Sequence, residues 1–420
     1  MENPDLAGSE PSPLRRNRDF QVLWSSQVLS TLGSAATRVA LPLLILAETG
    51  SAAQAGAVGF AQTLPFLVWF LPAGAWVDRW DRKRLMLTTE AARLVAIGGI
   101  AAMAATGNVS LWLVMVAAFV EGTGVVFFEL AEAAALPHLV PKAQLPQAIA
   151  QNQGRQQGAN LLGPPVGGAL FGLGRGFPFG FDAITYLVSF VAVLSLRPAL
   201  QGARDLSDIS LTADIRLGLG WLWRQHFLRA LSFVAAALNF TIPALVLALV
   251  VRAQELGADP ARVGLLTSAF GIGAMSGVFF APRIDRALSG RSIILIVCAL
   301  WTVSLIGLAA APGLLILGVI IVVVTSSTPT LQVMIGRYRY ALTPDEMQGR
   351  MLSASRMLGW GAAPIGVAIA GVTIEVVGPS ATMLALGGVM GVAALASSFA
   401  PGLKNDPLEN PADPPCAEVP

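Results

Sequence analysis

Apolar runs long enough to cross a bilayer, one after another along the chain, constrain this protein more than any other feature. Twelve fall at about 20–47, 53–77, 86–106, 109–133, 155–174, 179–196, 230–251, 262–284, 292–311, 313–336, 351–376 and 380–399. A helix rises about 1.5 Å per residue and the hydrocarbon layer is about 30 Å thick, so each run suffices for one crossing. Of the 420 residues 55% are apolar and 12% charged, where soluble domains hold about 45–50% and about 25%. The reading is an all-α membrane protein of twelve transmembrane helices in two six-helix pseudo-repeat bundles. The fifth run opens with polar Arg155, Gln156 and Gln157, but without it the chain ends would lie on opposite faces.

Charge sets the orientation. Of 27 basic residues, 22 fall on the face that holds the N-terminus, Arg175, Arg252 and Arg262 on the other, and Arg38 and Arg93 inside runs. The positive-inside rule then places both termini in the cytoplasm. Glu2, Asp5 and Glu10 precede the first run, which is too long for a signal-peptide core, so it reads as an uncleaved helix. The organisation follows: a cytoplasmic segment 1–19, a bundle 20–196, a cytoplasmic linker 197–229, a bundle 230–399 and a proline-rich disordered tail 400–420. In the linker, Ile215, Leu219, Leu222 and Phe227 alternate with Arg216, Arg224 and Gln225, the pattern of a helix lying on the membrane surface.

The halves repeat one another. Asp78-Arg79 after the second run recurs as Asp285-Arg286 after the eighth, and Pro165-Val166-Gly167 in the fifth as Pro364-Ile365-Gly366 in the eleventh. Two related half-bundles are what a rocking transporter needs. Other functions fall away. A net charge of +2 argues against nucleic-acid binding. The three lysines follow Arg82, Pro141 and Leu403, so there is no phosphate-loop Gly-Lys and no ATPase domain. Cys298, Cys416, His138 and His226 are scattered, giving no disulfide, metal or cofactor site. No nucleophile, base and orienting group share a face, which leaves a membrane-embedded enzyme a distant alternative.

The segment Gly74, Asp78, Arg79, Arg82 and Lys83 resembles the cytoplasmic-loop motif of the major facilitator superfamily, with Asp81 where the motif has its second glycine. That resemblance implies that Asp78 caps a helix of the other half while Arg82 or Lys83 pairs with an acid, locking one conformation. Glu129 and Glu132, near the end of the fourth run, are the expected acids, and Asp285 with Arg286 is the half-repeat of the gate. Gly163-Pro164-Pro165-Val166-Gly167-Gly168 is similar to the superfamily's exporter motif. Arg18-Asp19-Phe20, Leu139-Val140-Pro141 and Phe181-Asp182 look closest to the branch of macrolide efflux proteins and the enterobactin exporter. The proton antiporters' arginine in the fourth helix is missing: Ala118 stands there, ahead of Glu121-Gly122-Thr123-Gly124.

In that superfamily helices 1, 4, 7 and 10 line the cavity, and polar residues fall in the matching runs. Gln27, Thr31, Ser34 and Arg38 share one face of the first; Glu121, Asn239 and Gln332 lie in the fourth, seventh and tenth. Phe66, Trp69, Phe127, Phe128, Phe240 and Phe270 suit an aromatic substrate but equally plain packing. Arg38 and Glu121 lie at similar depth and are expected to pair, because a lone charge there costs about 2.5–3.5 kcal/mol; Glu90 and Arg93 read as a local pair. The resulting expectation is a monomeric exporter of a small amphipathic organic compound, driven by proton antiport in the plasma membrane of a bacterium. An importer or lysophospholipid flippase is the alternative.

Overall fold

The computed structural model describes residues 13–197, 200, 217, 220–343, 348–400 and 403, except the side chains of 71, 75, 78, 348–350 and 352–354. Among them the secondary structure is helical. The helices are α1 (Arg18–Thr49), α2 (Ala52–Arg79), α3 (Arg82–Thr106), α4 (Leu111–Leu139), α5 (Leu145–Leu173), α6 (Phe177–Leu194), α7 (His226–Glu255) and α8 (Pro260–Ala287). After them come α9 (Gly290–Ala310), α10 (Leu314–Thr325), α11 (Thr328–Leu342), α12 (Gln348–Trp360) and α13 (Ala362–Phe399).

Starts are written in polar side chains. Asn17, Ser51, Asp81, Asp259 and Ser289 each accept a hydrogen bond from a first-turn N–H of α1, α2, α3, α8 and α9. The Asp81 carboxylate accepts from the Arg84 N–H at 2.8 Å, so the residue that replaces the motif's second glycine has become the cap of α3. Nine of the described helical stretches are long and apolar enough to cross a membrane, counting Leu314–Leu342 and Ser355–Phe399 as one each. The polar α5 and the α2 helix are not among them, although each has 28 or more residues.

Two boundaries differ from the sequence expectation. The fifth helix begins at Leu145, ten residues early, because Pro146 sits in its first turn, where no N–H is required. The tenth run breaks at Ser326–Ser327 and continues as α11 to Leu342. The last two runs separate where expected, at Gly378, whose φ of 83° and ψ of 166° only glycine adopts readily, followed by Pro379.

α1 packs on α5 and α6, α3 on α4 and α6, and α2 on α4. In the second half α13 packs on α7 and α9, and α8 on α10 and α11. The halves meet along two seams, α2 against α12 and α13, and α5 against α8. At the end away from the N-terminus these seams are closed backbone to backbone. A Cβ on Gly56 would stand 2.7 Å from the Gly371 Cα, and one on Gly264 3.1 Å from the Gly168 Cα. A cavity of about 470 Å³ at that end is lined by Gly50, Gln254, Glu255, Glu375 and Pro379 among others. Toward the N-terminal end the seam is made by side chains: Phe66 stacks on Trp360 at 5.4 Å and the Arg356 guanidinium lies over Phe70.

The first part of the expected surface helix lies outside the described residues. Within them the apolar Leu222 and Phe227 are buried in the core while Arg224 is exposed, and Phe227 stacks on Tyr338 at 4.3 Å, so the apolar face meets protein and not lipid headgroups. Of the tail only Ala400 and Leu403 are described.

Candidate functional site

Of the polar residues of α1, Gln27 and Ser34 turn into the first bundle. Gln27 and Ser34 are 4% and 6% exposed, and they meet α3 and α6. The Gln27 amide donates to Ser189 Oγ at 2.6 Å and to Glu90 Oε1 at 3.4 Å, while the Ser189 hydroxyl donates to Glu90 Oε1 at 2.7 Å. Arg93 occupies the centre. Its Nη2 donates to Ser34 Oγ and to the Tyr186 hydroxyl, each at 3.0 Å, and its guanidinium lies over the Tyr186 ring. Its ion pairs are looser, 3.5 Å to Glu121 Oε1 and 3.8 Å to Glu90 Oε2. Asp182, which is fully buried, accepts from Thr37 Oγ1 at 2.6 Å and from Thr185 Oγ1 at 3.3 Å.

Glycine makes this network possible. A Cβ on Gly124 would lie 2.5 Å from Arg93 Cγ, so the bare backbone of α4 is what admits the arginine stem. A Cβ on Gly33 would lie 2.5 Å from Asp182 Oδ1. Buried charge is tolerated only when paired and hydrogen-bonded, and these small residues bring the partners within reach.

Glu121 and Arg38 do not pair, contrary to the sequence expectation. Glu121 is 4% exposed and accepts from Gln62 Nε2 of α2 at 3.2 Å besides its contact with Arg93. Arg38, one residue on from Thr37, points outward to Asn160 Oδ1 of α5 at 2.9 Å. Equal depth did not imply a shared face: the helical rotation of about 100° between Thr37 and Arg38 sends one to α6 and the other to α5. Glu90 and Arg93, expected as a local pair, do meet, as members of the larger network.

Arg38, Glu129 and Gln332 are exposed, from α1, α4 and α11. Thr31 is half-buried, bonded to the Gln27 carbonyl, and the Asn239 amide donates to Ala235 O at 2.9 Å. Phe127 and Phe128 are buried, and Trp76 stacks on Phe127 at 5.9 Å, so the aromatic positions of α4 serve packing.

The gate residues also take unexpected partners. Glu132 is held bidentately by Arg155 of α5, at 2.8 and 3.0 Å, instead of by the Arg82 cluster. Arg82 donates to the carbonyls of Ala134 and Leu200, and Lys83 to those of Leu194 and Leu196. Basic side chains there bind carbonyls at and beyond the end of α6 and one near the end of α4. The Asp78 side chain lies outside the described ones. Asp285 pairs with Arg337 Nε at 3.2 Å, while Arg79 and Arg286 are exposed, and the Gly74 position is open.

The exporter motif is a packing element on two sides. A Cβ on Gly163 or Gly167 would strike Ala35 or Ala36 of α1, and one on Gly168 would strike the Pro260 carbonyl of α8; the Pro164 carbonyl in turn abuts Gly264. Asp182, Tyr186, Ser189, Gln62, Arg155 and Asn160 were not singled out as site residues from sequence. Asp182 carried a usable signal, as the one acid of the apolar α6.

A helical, lipid-exposed bundle with a charged network held inside one half has the build of a membrane transporter. The family model described as "Transmembrane secretion effector" matches residues 8–410, and the chain belongs to that family of major facilitator superfamily transporters. It is a multi-pass membrane transporter and not an enzyme. It is 26% identical over 381 residues to the multidrug efflux pump Tap of Mycolicibacterium fortuitum, covering 89% of this chain and 93% of that protein. It is 23% identical to macrolide efflux protein A of Streptococcus pyogenes over 86% of this chain and 90% of that one. A variant of the nucleoside transporter NupG superposes with a TM-score of 0.75 at 13% identity, over 91% of this chain and 98% of that one, which speaks for the fold.

Proposed function

We propose that the protein exports a small amphipathic organic compound across a bacterial inner membrane in exchange for protons, by alternating access of two six-helix bundles. Full-length similarity to multidrug and macrolide efflux proteins supports export. In this reading the chain crosses the membrane twelve times as a monomer with both termini cytoplasmic, α10 with α11 and the two parts of α13 supplying the last crossings. Bundles 20–196 and 230–399 rock about the linker 197–229. The closed seams then lie outside, and the conformation is inward-facing.

One observation carries the coupling: Glu121, a carboxylate within an apolar helix, contacts Arg93 on its buried side and Gln62 on the other. An acid so placed can exchange a proton with the cavity and pass the change in charge to the bundle interior. Arg38, Glu129, Asn239 and Gln332 are the substrate-facing groups of this reading. Gly74, Asp78, Arg79, Arg82, Lys83, Asp285 and Arg286 frame the cytoplasmic gate, with Glu132–Arg155 buttressing it.

Energised inverted vesicles should accumulate a macrolide or dye that the protein exports, and a protonophore should collapse that uptake. Glu121→Gln should still bind the compound and lose proton-driven accumulation. Wild-type pH dependence in Glu121→Gln would place coupling elsewhere, and uptake that survives the protonophore would end the antiport reading.

A further inference from the structure

The network around Arg93 is out of charge balance. Glu90 and Asp182 are fully buried and Glu121 is 4% exposed, and Arg93 is the one cation that meets them in an ion pair among the described residues. A guanidinium stays charged throughout the working range. Three ionised carboxylates would leave a net charge of −2 sealed between α1, α3, α4 and α6, which a low-dielectric interior does not support.

The geometry says where the surplus falls. Every group that meets the Asp182 carboxyl can be named. α1 supplies the Thr37 hydroxyl, and α6 supplies Thr185, with Tyr186 one turn on. The charges of Arg93 on α3 and Glu121 on α4 reach Asp182 electrostatically, but neither pairs with it. The charged residue of α5 nearest this region, Arg155, is committed to Glu132. Asp182 therefore has donors but no counter-ion. Glu90 Oε2 is buried with no hydrogen-bond partner, 3.8 Å from Arg93 Nη1, a poor setting for a full negative charge.

We propose that Asp182 is a neutral carboxylic acid in this conformation and that the cluster is a two-proton store, one proton on Asp182 and one shared between Glu90 and Glu121 about Arg93. The idea rests on the antiport reading for its purpose and gives that reading a stoichiometry. Release transfers the Asp182 O–H proton through neighbouring hydroxyls to bulk water once the bundle opens, and leaves a carboxylate. The residues leading outward are Thr37 and Ser34, one turn apart on α1, then Tyr186, which bonds Ser34 at 3.0 Å and reaches Glu121 at 3.5 Å. The resulting anion persists only while the bundle opens or a cationic substrate lies against Glu121.

Infrared difference spectra of the purified protein in liposomes test this directly. The wild type should show carbonyl absorption from two protonated buried carboxyl groups at neutral pH, shifted in heavy water. Asp182→Asn, which preserves the acceptor for Thr37, should lose the Asp182 share of that absorption and keep the share of the Glu90–Glu121 pair, at the wild-type melting temperature. Protons released on raising the pH of the liposome interior should fall by one per protein in that variant. Absence of the absorption in the wild type, an undiminished absorption in Asp182→Asn, or an undiminished proton count would overturn the proposal. Failure of antiport itself shows separately, as vesicle uptake that survives a protonophore whatever the absorption does.

Discussion

At the residue scale the informative contacts are those in which a charge is taken out of water and given a specific partner. Glu132 and Arg155 are 9% and 8% exposed in their side chains and meet bidentately. Removing one partner of such a pair costs about 3–5 kcal/mol, because the survivor is left buried and unpaired. Glu132→Ala should therefore lower the thermal midpoint in detergent substantially, and Glu132→Ala with Arg155→Ala should recover part of the loss. Equal midpoints for the single variant and the wild type would show that water reaches Arg155 freely. The acid was legible in sequence but its partner was not. Arg155 looked like the polar start of a weak helix, and only the packing of α5 on the first bundle brings it to α4.

Among elements, α5 and α13 are governed by backbone proximity. Gly168 has no room for a side chain, because a Cβ would strike the Pro260 carbonyl of α8. Gly168→Val should keep the protein in the membrane yet cut export at least about tenfold by forcing the α5–α8 seam apart. A single cysteine at position 261, in a background without Cys298 and Cys416, should become more reactive to an impermeant thiol reagent. Unchanged reactivity would mean the seam absorbs the valine. Gly378, at φ 83° and ψ 166°, should tolerate alanine poorly. A conformation reserved for glycine costs about 1–3 kcal/mol when another residue must adopt it, so Gly378→Ala should lower the thermal midpoint. The motif glycines were visible in the sequence. That they serve two neighbours at once, α1 and α8, follows from the arrangement of helices alone.

For the molecule as a whole, the two halves are fastened at the end away from the N-terminus by more than close packing. Glu375 of α13 accepts from the Ser51 hydroxyl at 2.8 Å and from the Ala53 N–H at 2.9 Å, capping the start of α2 across the seam. Glu375→Ala should shift the population toward an arrangement opened at that end. Spin labels on the ends of α2 and α13 that flank the seam should show a longer distance component than in the wild type, and an identical distribution would show that the glycine contacts alone hold the seam.

The apolar runs, their spacing and the sidedness of basic residues sufficed to read a helical, multi-pass transporter, because lipid forces every backbone polar group into helices whatever their neighbours are. The identity of the charged residues at depth was equally legible: Glu90, Arg93, Glu121 and Asp182 stand out in apolar surroundings. Their pairing, beyond the local Glu90–Arg93 contact, was not. Arg38 and Glu121 matched in depth, yet Arg93 took Glu121, because a partner is chosen by the face a helix turns to its neighbour and by the glycines that let a stem approach. Depth is a property of one helix and follows from counting residues along it. Contact belongs to two helices, and their relative rotation is set by the packing of the whole bundle.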